Sequence, residues 1–292
     1  MTDSLGRNLP IAIASGVALA AIFLVTLFAS PWAFLAFVAL IVCGALAELD
    51  GALRSRGLRP ATPVAVAGGL VMFFGVYAVG PSAQSVGLVL LLLGTLGWAL
   101  LDPGSRSGAP DLDLPPAEVA ARTRLAAGTI TGNVGATLLI ALWVPFLASF
   151  IALLLARPSG SWAVMATVAL AVTNDIGAFA FGSRFGRHKL APRISPAKTW
   201  EGFLGGLATV LLIAAVATAR APGFDLPLAL ALGAGVSVAA TLGDLAESLV
   251  KRDLGVKDLG RILPGHGGIM DRVDALLFAL PVGHFVLLAF GV

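Results

Sequence analysis

An all-α protein that crosses a membrane about nine times is what this sequence predicts, on three observations. Hydrophobic residues make up 58% of the 292 and charged residues only 12%, against roughly 25% charged in an ordinary soluble domain. The apolar residues come in runs near the ~20 that a spanning helix needs. The basic residues between those runs fall almost wholly on alternate loops. With a mean hydropathy of +0.95, the chain has too little polar surface to face water on all sides.

Nine segments fit a span: about 9–29, 31–48, 62–80, 84–101, 133–156, 161–182, 200–219, 227–250 and 272–291. The first lacks a small-x-small cleavage site followed by a polar mature region, so it reads as a helix that stays. The single cysteine, Cys43, excludes an internal disulfide and a cysteine-rich metal site. Glycine pairs inside the runs, such as Gly205-Gly206, suit close helix packing in lipid. Glu48, Asp50 and Arg54 close the second run and read as interfacial anchors.

If all nine segments span, the N-terminus and the loops after segments 2, 4, 6 and 8 share one side. Of the 19 basic residues, all but Arg157 and Arg220 fall there. Basic loops stay cytoplasmic, so the N-terminus is expected inside and the C-terminus outside. The polar, proline-rich stretch 102–126 reads as a cytoplasmic loop. It divides an N-terminal half, 1–126, of about four helices from a C-terminal half, 127–292, of about five.

Ionisable residues at membrane depth are expensive and usually functional. Asp175, Glu201, Asp244, Glu247, Asp271 and Asp274 all lie in the second half, near the expected cytoplasmic ends of segments 6 to 9. Asp244, Glu247, Ser248 and Lys251 are spaced i, i+3, i+4, i+7 and share one helix face. Asp271 and Asp274 share another, at the start of the antiparallel segment that follows. Asp244 and Asp271 are therefore expected to face each other across a small gap. Gathered carboxylates repel one another, and a divalent cation relieves that. Mg²⁺ suits the chemistry, because it takes one or two carboxylates together with substrate phosphates. Asp244 and Asp271 are its expected ligands, with Asp175, Glu247 and Asp274 as further candidates. The Gly267-Gly268 backbone before a helix start offers amides to phosphate. Lys251, Arg252, Lys257, Arg261 and Arg272 supply positive charge, and His266 sits among the loop glycines. Upstream, Ser195-Pro196 reads as a helix start with Ser195 as its cap, and Lys198 can reach a phosphate oxygen as a point charge. A metal–polyphosphate site on the cytoplasmic face is the expectation. Glu247–Lys251 and Asp271–Arg272 could also be plain ion pairs tying helix ends together.

The stretch Ser248-Leu249-Val250-Lys251-Arg252, Lys257-Asp258-Leu259-Gly260, and Leu263-Pro264-Gly265-His266-Gly267-Gly268 through Asp271-Arg272-Val273-Asp274 resembles the full signature of phosphatidate cytidylyltransferases. The run from Phe185 through Ser195-Pro196-Ala197-Lys198-Thr199-Trp200-Glu201-Gly202 is similar to the same family, with Ala197 where a lysine is expected. Asn174-Asp175-Ile176-Gly177 is an altered form of an Asp-Thr-Gly type motif. The resemblance covers about 174–274. It implies transfer of the cytidylyl group of CTP to phosphatidate, giving CDP-diacylglycerol and pyrophosphate for phospholipid biosynthesis. It also implies Mg²⁺, K⁺ as a second cation, a homodimer in the inner (plasma) membrane, and no nucleic-acid partner. Asp244, Asp271, Lys198, Lys251 and Arg272 would then carry the catalysis. Ser195, Lys198, Lys251, Arg252, Lys257, Arg261, His266, Gly267, Gly268 and Arg272 would bind substrate. A CDP-alcohol phosphotransferase is a rival, but its Asp-Gly-x-x-Ala-Arg order is not found. A cation-coupled transporter is another, though its ion-binding acids belong at the midplane, whereas these cluster near one face.

Overall fold

The computed structural model describes residues 3–101, 129–218, 225–260 and 267–292. Among them are nine helices: α1 (Asp3–Ala29), α2 (Pro31–Arg54), α3 (Thr62–Val79), α4 (Ser82–Leu101), α5 (Ile130–Leu155), α6 (Gly160–Phe185), α7 (Trp200–Thr218), α8 (Leu226–Asp253) and α9 (Met270–Ala289). Eight are long and apolar enough to cross a membrane; in α1 the apolar stretch with described side chains is Ala14–Ala29. The protein is a multi-spanning membrane protein. Several helices run past the ends of their apolar runs. α2 continues through Arg54 and α8 through Asp253, because charged residues end a hydrophobic segment without breaking the helix. The loop expected over 102–126 lies outside the described residues.

Local chemistry sets several boundaries. Ser30 caps α2, its Oγ accepting from the Ala33 amide at 3.4 Å, and Pro31 follows at the first helical position. Thr129 caps α5 by accepting from the Gly132 amide at 3.0 Å. Inside α5, Pro145 has no amide to donate, and the helix widens to a π turn over Leu142–Phe146.

The chain forms two compact units: Met1–Ser149 with Asp258–Met270, and Phe150–Lys257 with Asp271–Val292. In the first, Phe34, Leu35, Leu46 and Leu49 of α2, Met72 and Phe73 of α3, and Ile140 and Val144 of α5 are buried. Several of its buried polar groups serve the main chain. Asn133 Oδ1 accepts from the Arg59 amide at 2.7 Å, and Thr137 Oγ1 from the Ala61 amide at 2.8 Å. Glu48, expected at the membrane surface, is buried instead; its carboxylate accepts from the Met270 amide, the first of α9, at 3.0 Å. The main chain at Gly260 lies against the same carboxylate, where a Cβ would collide with it. An acid at a helix start meets the positive end of the helix dipole, which is why Glu48 tolerates burial there. Asp50 and Arg54 pair at 2.6 Å near the surface, and Thr62 donates to Asp50 at 2.5 Å.

In the second unit, Leu170 and Ala171 of α6, Val210 and Ala214 of α7, Ala229, Leu232, Val236 and Ala240 of α8, and Ala275 and Ala279 of α9 form one core. These are mostly small residues, and small residues let helix backbones close up where lipid offers no hydrophobic drive. Between α6 and α7 lies a short antiparallel hairpin, β1 (Lys189–Ala191) with β2 (Ser195–Thr199). The helix start expected at Ser195-Pro196 is therefore corrected. Proline biases the residue before it toward extended backbone, and Ser195 pairs with Ala191 across the hairpin. The helix begins at Trp200, where Thr199 Oγ1 accepts from the Gly202 amide at 3.1 Å.

Candidate active site

The acids of α8 and α9 meet because the two backbones nearly touch. A Cβ at Gly243 would land on the Asp274 carbonyl, so only glycine allows this approach. The next residue, Asp244, thereby comes within reach of Asp274. Carboxylate oxygens of Asp244, Glu247 and Asp274 all lie within 4.8 Å of one another, and Glu247 and Asp274 are buried. At that separation two unit charges repel by about 3–4 kcal/mol at an effective dielectric near 20. Such a set needs positive charge. Lys251, one turn after Glu247, bridges Glu247 Oε2 at 2.6 Å and Asp271 Oδ1 at 2.9 Å. Lys198 of β2 pairs with Asp244. Asp175 of α6 opens onto a cavity beside Asp244 and Lys198 and feels both charges. Five acids thus gather around Lys198 and Lys251. Glu247 Oε1 is buried with no hydrogen-bond partner. An orphaned carboxylate oxygen among hard oxygen donors is what a divalent cation such as Mg²⁺ satisfies.

The hairpin aims Lys198. Lys189 pairs with Thr199, and the Trp200 amide donates to the His188 carbonyl at 2.9 Å. Glu201 holds the base of the hairpin. Its carboxylate accepts from the Arg187 amide at 3.0 Å and the His188 amide at 3.1 Å, and His188 Nδ1 lies 2.6 Å from it. Near the other end, Arg252 Nε donates to the Ile194 carbonyl at 3.3 Å, tying the hairpin to α8. Asn174 and Ser237, hydrogen bonded at 2.5 Å, link α6 to α8 in the core just behind Asp175.

The profile of the Cytidylyltransferase family matches residues 10–290. The chain belongs to this family. Among its relatives, the phosphatidate cytidylyltransferase of Mycobacterium bovis is 34% identical over 286 residues, covering 94% of this chain and 87% of its own length. That of Mycobacterium leprae is 35% identical over 284 residues, covering 94% and 86%. A Staphylococcus aureus protein of the same name is 48% identical over 117 residues, 39% of this chain and 45% of its own.

In this cytidylyltransferase the cluster gathers Asp175, Lys198, Asp244, Glu247, Lys251, Asp271 and Asp274 in the second unit. The three acids in mutual ligand range are Asp244, Glu247 and Asp274; Asp271 stands beside them, held by Lys251. Ser195, Ser248, Arg252 and Lys257 line a second cavity with Lys251. Arg272 is exposed at the start of α9. Gly267, at φ 81°, and Gly268 belong to the first unit, while Arg261 and His266 lie outside the described residues. Two contributors were not legible as such. Glu48 reads as an anchor because its partner is 222 residues away. Gly243 reads as one small residue among many. Glu201 stands out in the sequence as an acid in an apolar context, but not as the anchor of a hairpin. A glycine directly before an acid in an apolar run is the signal that could have singled out Gly243.

Proposed function

We propose that this protein is a phosphatidate cytidylyltransferase, which joins CTP and phosphatidate to give CDP-diacylglycerol and pyrophosphate for phospholipid biosynthesis. The observation that carries this is the acid cluster, flanked by Lys198 and Lys251, at the adjoining ends of α8 and α9. Kinship with enzymes of that name over 94% of the chain supports it. The lipid phosphate is already anionic and serves as its own nucleophile, so catalysis reduces to positioning and charge neutralisation.

Asp244, Glu247 and Asp274 would hold Mg²⁺, with Asp271 next to them as a further ligand once Lys251 turns to phosphate. Asp175, on the cavity side of Asp244, is left for K⁺. The cations, when bound, neutralise phosphate charge and stabilise the leaving pyrophosphate. Lys198 neutralises an incoming phosphate, and Lys251, Arg252, Lys257 and Arg272 pair with phosphate oxygens. Ser195 adds a neutral donor. The site faces the cytoplasm, where CTP is made, across the inner membrane of a bacterial cell, and the protein works as a homodimer. Phosphatidate then enters sideways with its tails still in lipid.

The test is incubation of purified protein in detergent with CTP, phosphatidate and Mg²⁺. CDP-diacylglycerol and pyrophosphate should appear in equal amounts. Folded protein that forms neither would sink the proposal.

A further inference from the structure

Two cavities border the β1–β2 hairpin, and their linings differ in kind. The first, about 250 Å³, has Asp175, Asp244 and Lys198 set against apolar walls of Phe179, Leu190 and Phe203. The second, about 170 Å³, has Ser195 and Ser248 hydroxyls with Lys251, Arg252 and Lys257; its apolar members among the described residues are Ile194 and Val256. Among the described residues, the ionisable ones lining the second cavity are all cations. Asp244 borders the first cavity and Lys251 the second. Seven residues apart on α8, they lie on one face with about 10 Å of helix rise between them. The acid cluster lies between these two points, because Lys251 reaches back to Glu247 and Asp271.

A chain of phosphates gains nothing from apolar walls and finds a single cation, Lys198, in the first cavity. A phosphate carrying acyl chains uses both the walls and Lys198. The basic cavity has the opposite match: it offers cations and hydroxyls to an anion without hydrophobic groups.

We propose that the basic cavity seats the β- and γ-phosphates of CTP and holds them as the leaving pyrophosphate, while the Lys198 cavity takes the lipid phosphate. This rests on the cytidylyl-transfer reading above and divides its two substrates between two cavities at one hairpin. An oxygen of the lipid phosphate forms the new bond to the α-phosphorus. The bond from that phosphorus to the bridging α–β oxygen breaks, and its electron pair leaves with pyrophosphate. With both substrates fully ionised, charge balances without a proton transfer. Entry from one side and departure toward the other gives the in-line arrangement that phosphoryl transfer requires.

The experiment is steady-state kinetics in mixed micelles, with inorganic pyrophosphate as the product-inhibition probe. Lys257→Ala is expected to raise KM for CTP and the inhibition constant for pyrophosphate about tenfold each, the factor for one charge-assisted hydrogen bond. KM for phosphatidate should stay within twofold. Ser248→Ala, a smaller change, should move the same two constants by about threefold, roughly the worth of one neutral hydrogen bond. Thermal unfolding identifies variants that fold like wild type. If pyrophosphate inhibition is unmoved in both variants, or if KM for phosphatidate rises instead, the assignment is overturned. Wild-type protein that makes no CDP-diacylglycerol overturns the enzymatic reading itself, a separate outcome.

Discussion

The two units treat their buried carboxylates in opposite ways. In the first, Glu48 ends on a main-chain amide, as Asn133 Oδ1 and Thr137 Oγ1 also do. In the second, Asp244, Glu247 and Asp274 end on one another, and an oxygen of Glu247 is left over. A buried acceptor that finds a backbone donor contributes to folding, since leaving either group alone costs about 1–3 kcal/mol. Buried acceptors that gather without enough donors destabilise the fold and persist where something else binds them. Burial alone would rank Glu48 and Glu247 together; their partners separate them.

The sharpest way to break this contrast is to remove a charge from each unit and compare activity with stability. Asp244→Asn should lower kcat by roughly 10³-fold, the scale for losing a main electrostatic contributor, and should abolish the response to added Mg²⁺. Its unfolding temperature should change little, because relief of the like-charge contacts offsets the lost pair with Lys198. A folded variant that keeps its Mg²⁺ response would remove Asp244 from the metal site. Gly243→Ala comes next. The added methyl forces α8 away from α9, and a shift near 1 Å in the reacting groups costs about 10² in rate. Overpacking there should also destabilise by about 1–3 kcal/mol, measured by urea or thermal unfolding.

On the other side, Glu48→Ala should act on stability first. It strips the Met270 amide of its acceptor and should cost about 1–3 kcal/mol, whereas Glu48→Gln, which keeps an acceptor oxygen, should lose less. If Glu48→Gln instead lost activity as fully as Asp244→Asn without losing stability, Glu48 would belong with the functional acids. The smallest effect is expected at Asn133→Ala: about 1 kcal/mol of stability and unchanged turnover of CTP. A large kinetic defect there would erase the distinction between the units.

Much of this was legible before any coordinates. Apolar run lengths placed most helix ends to within a few residues, the start of α1 and the end of α2 lying further out, because in lipid a spanning segment has few alternatives to helix. The acids of the second half stood out because charge in an apolar run has no cheap explanation. Local pattern misled at Ser195-Pro196. Serine followed by proline suits a helix cap, but the same proline favours an extended residue before it, and pairing with Ala191 decided for the strand.

The sequence by itself determined that the protein spans a membrane, and it singled out the acids and cations that are candidates for its chemistry. These follow from composition, run length and spacing, all of which are local. Only the tertiary structure decided that Glu247 and Asp274 close on Asp244 while Asp271 turns to Lys251, that Lys198 arrives on a hairpin, and that Glu48 holds the start of α9. Each depends on how closely two backbones distant in sequence approach, and that distance is set by packing, as at Gly243 against Asp274.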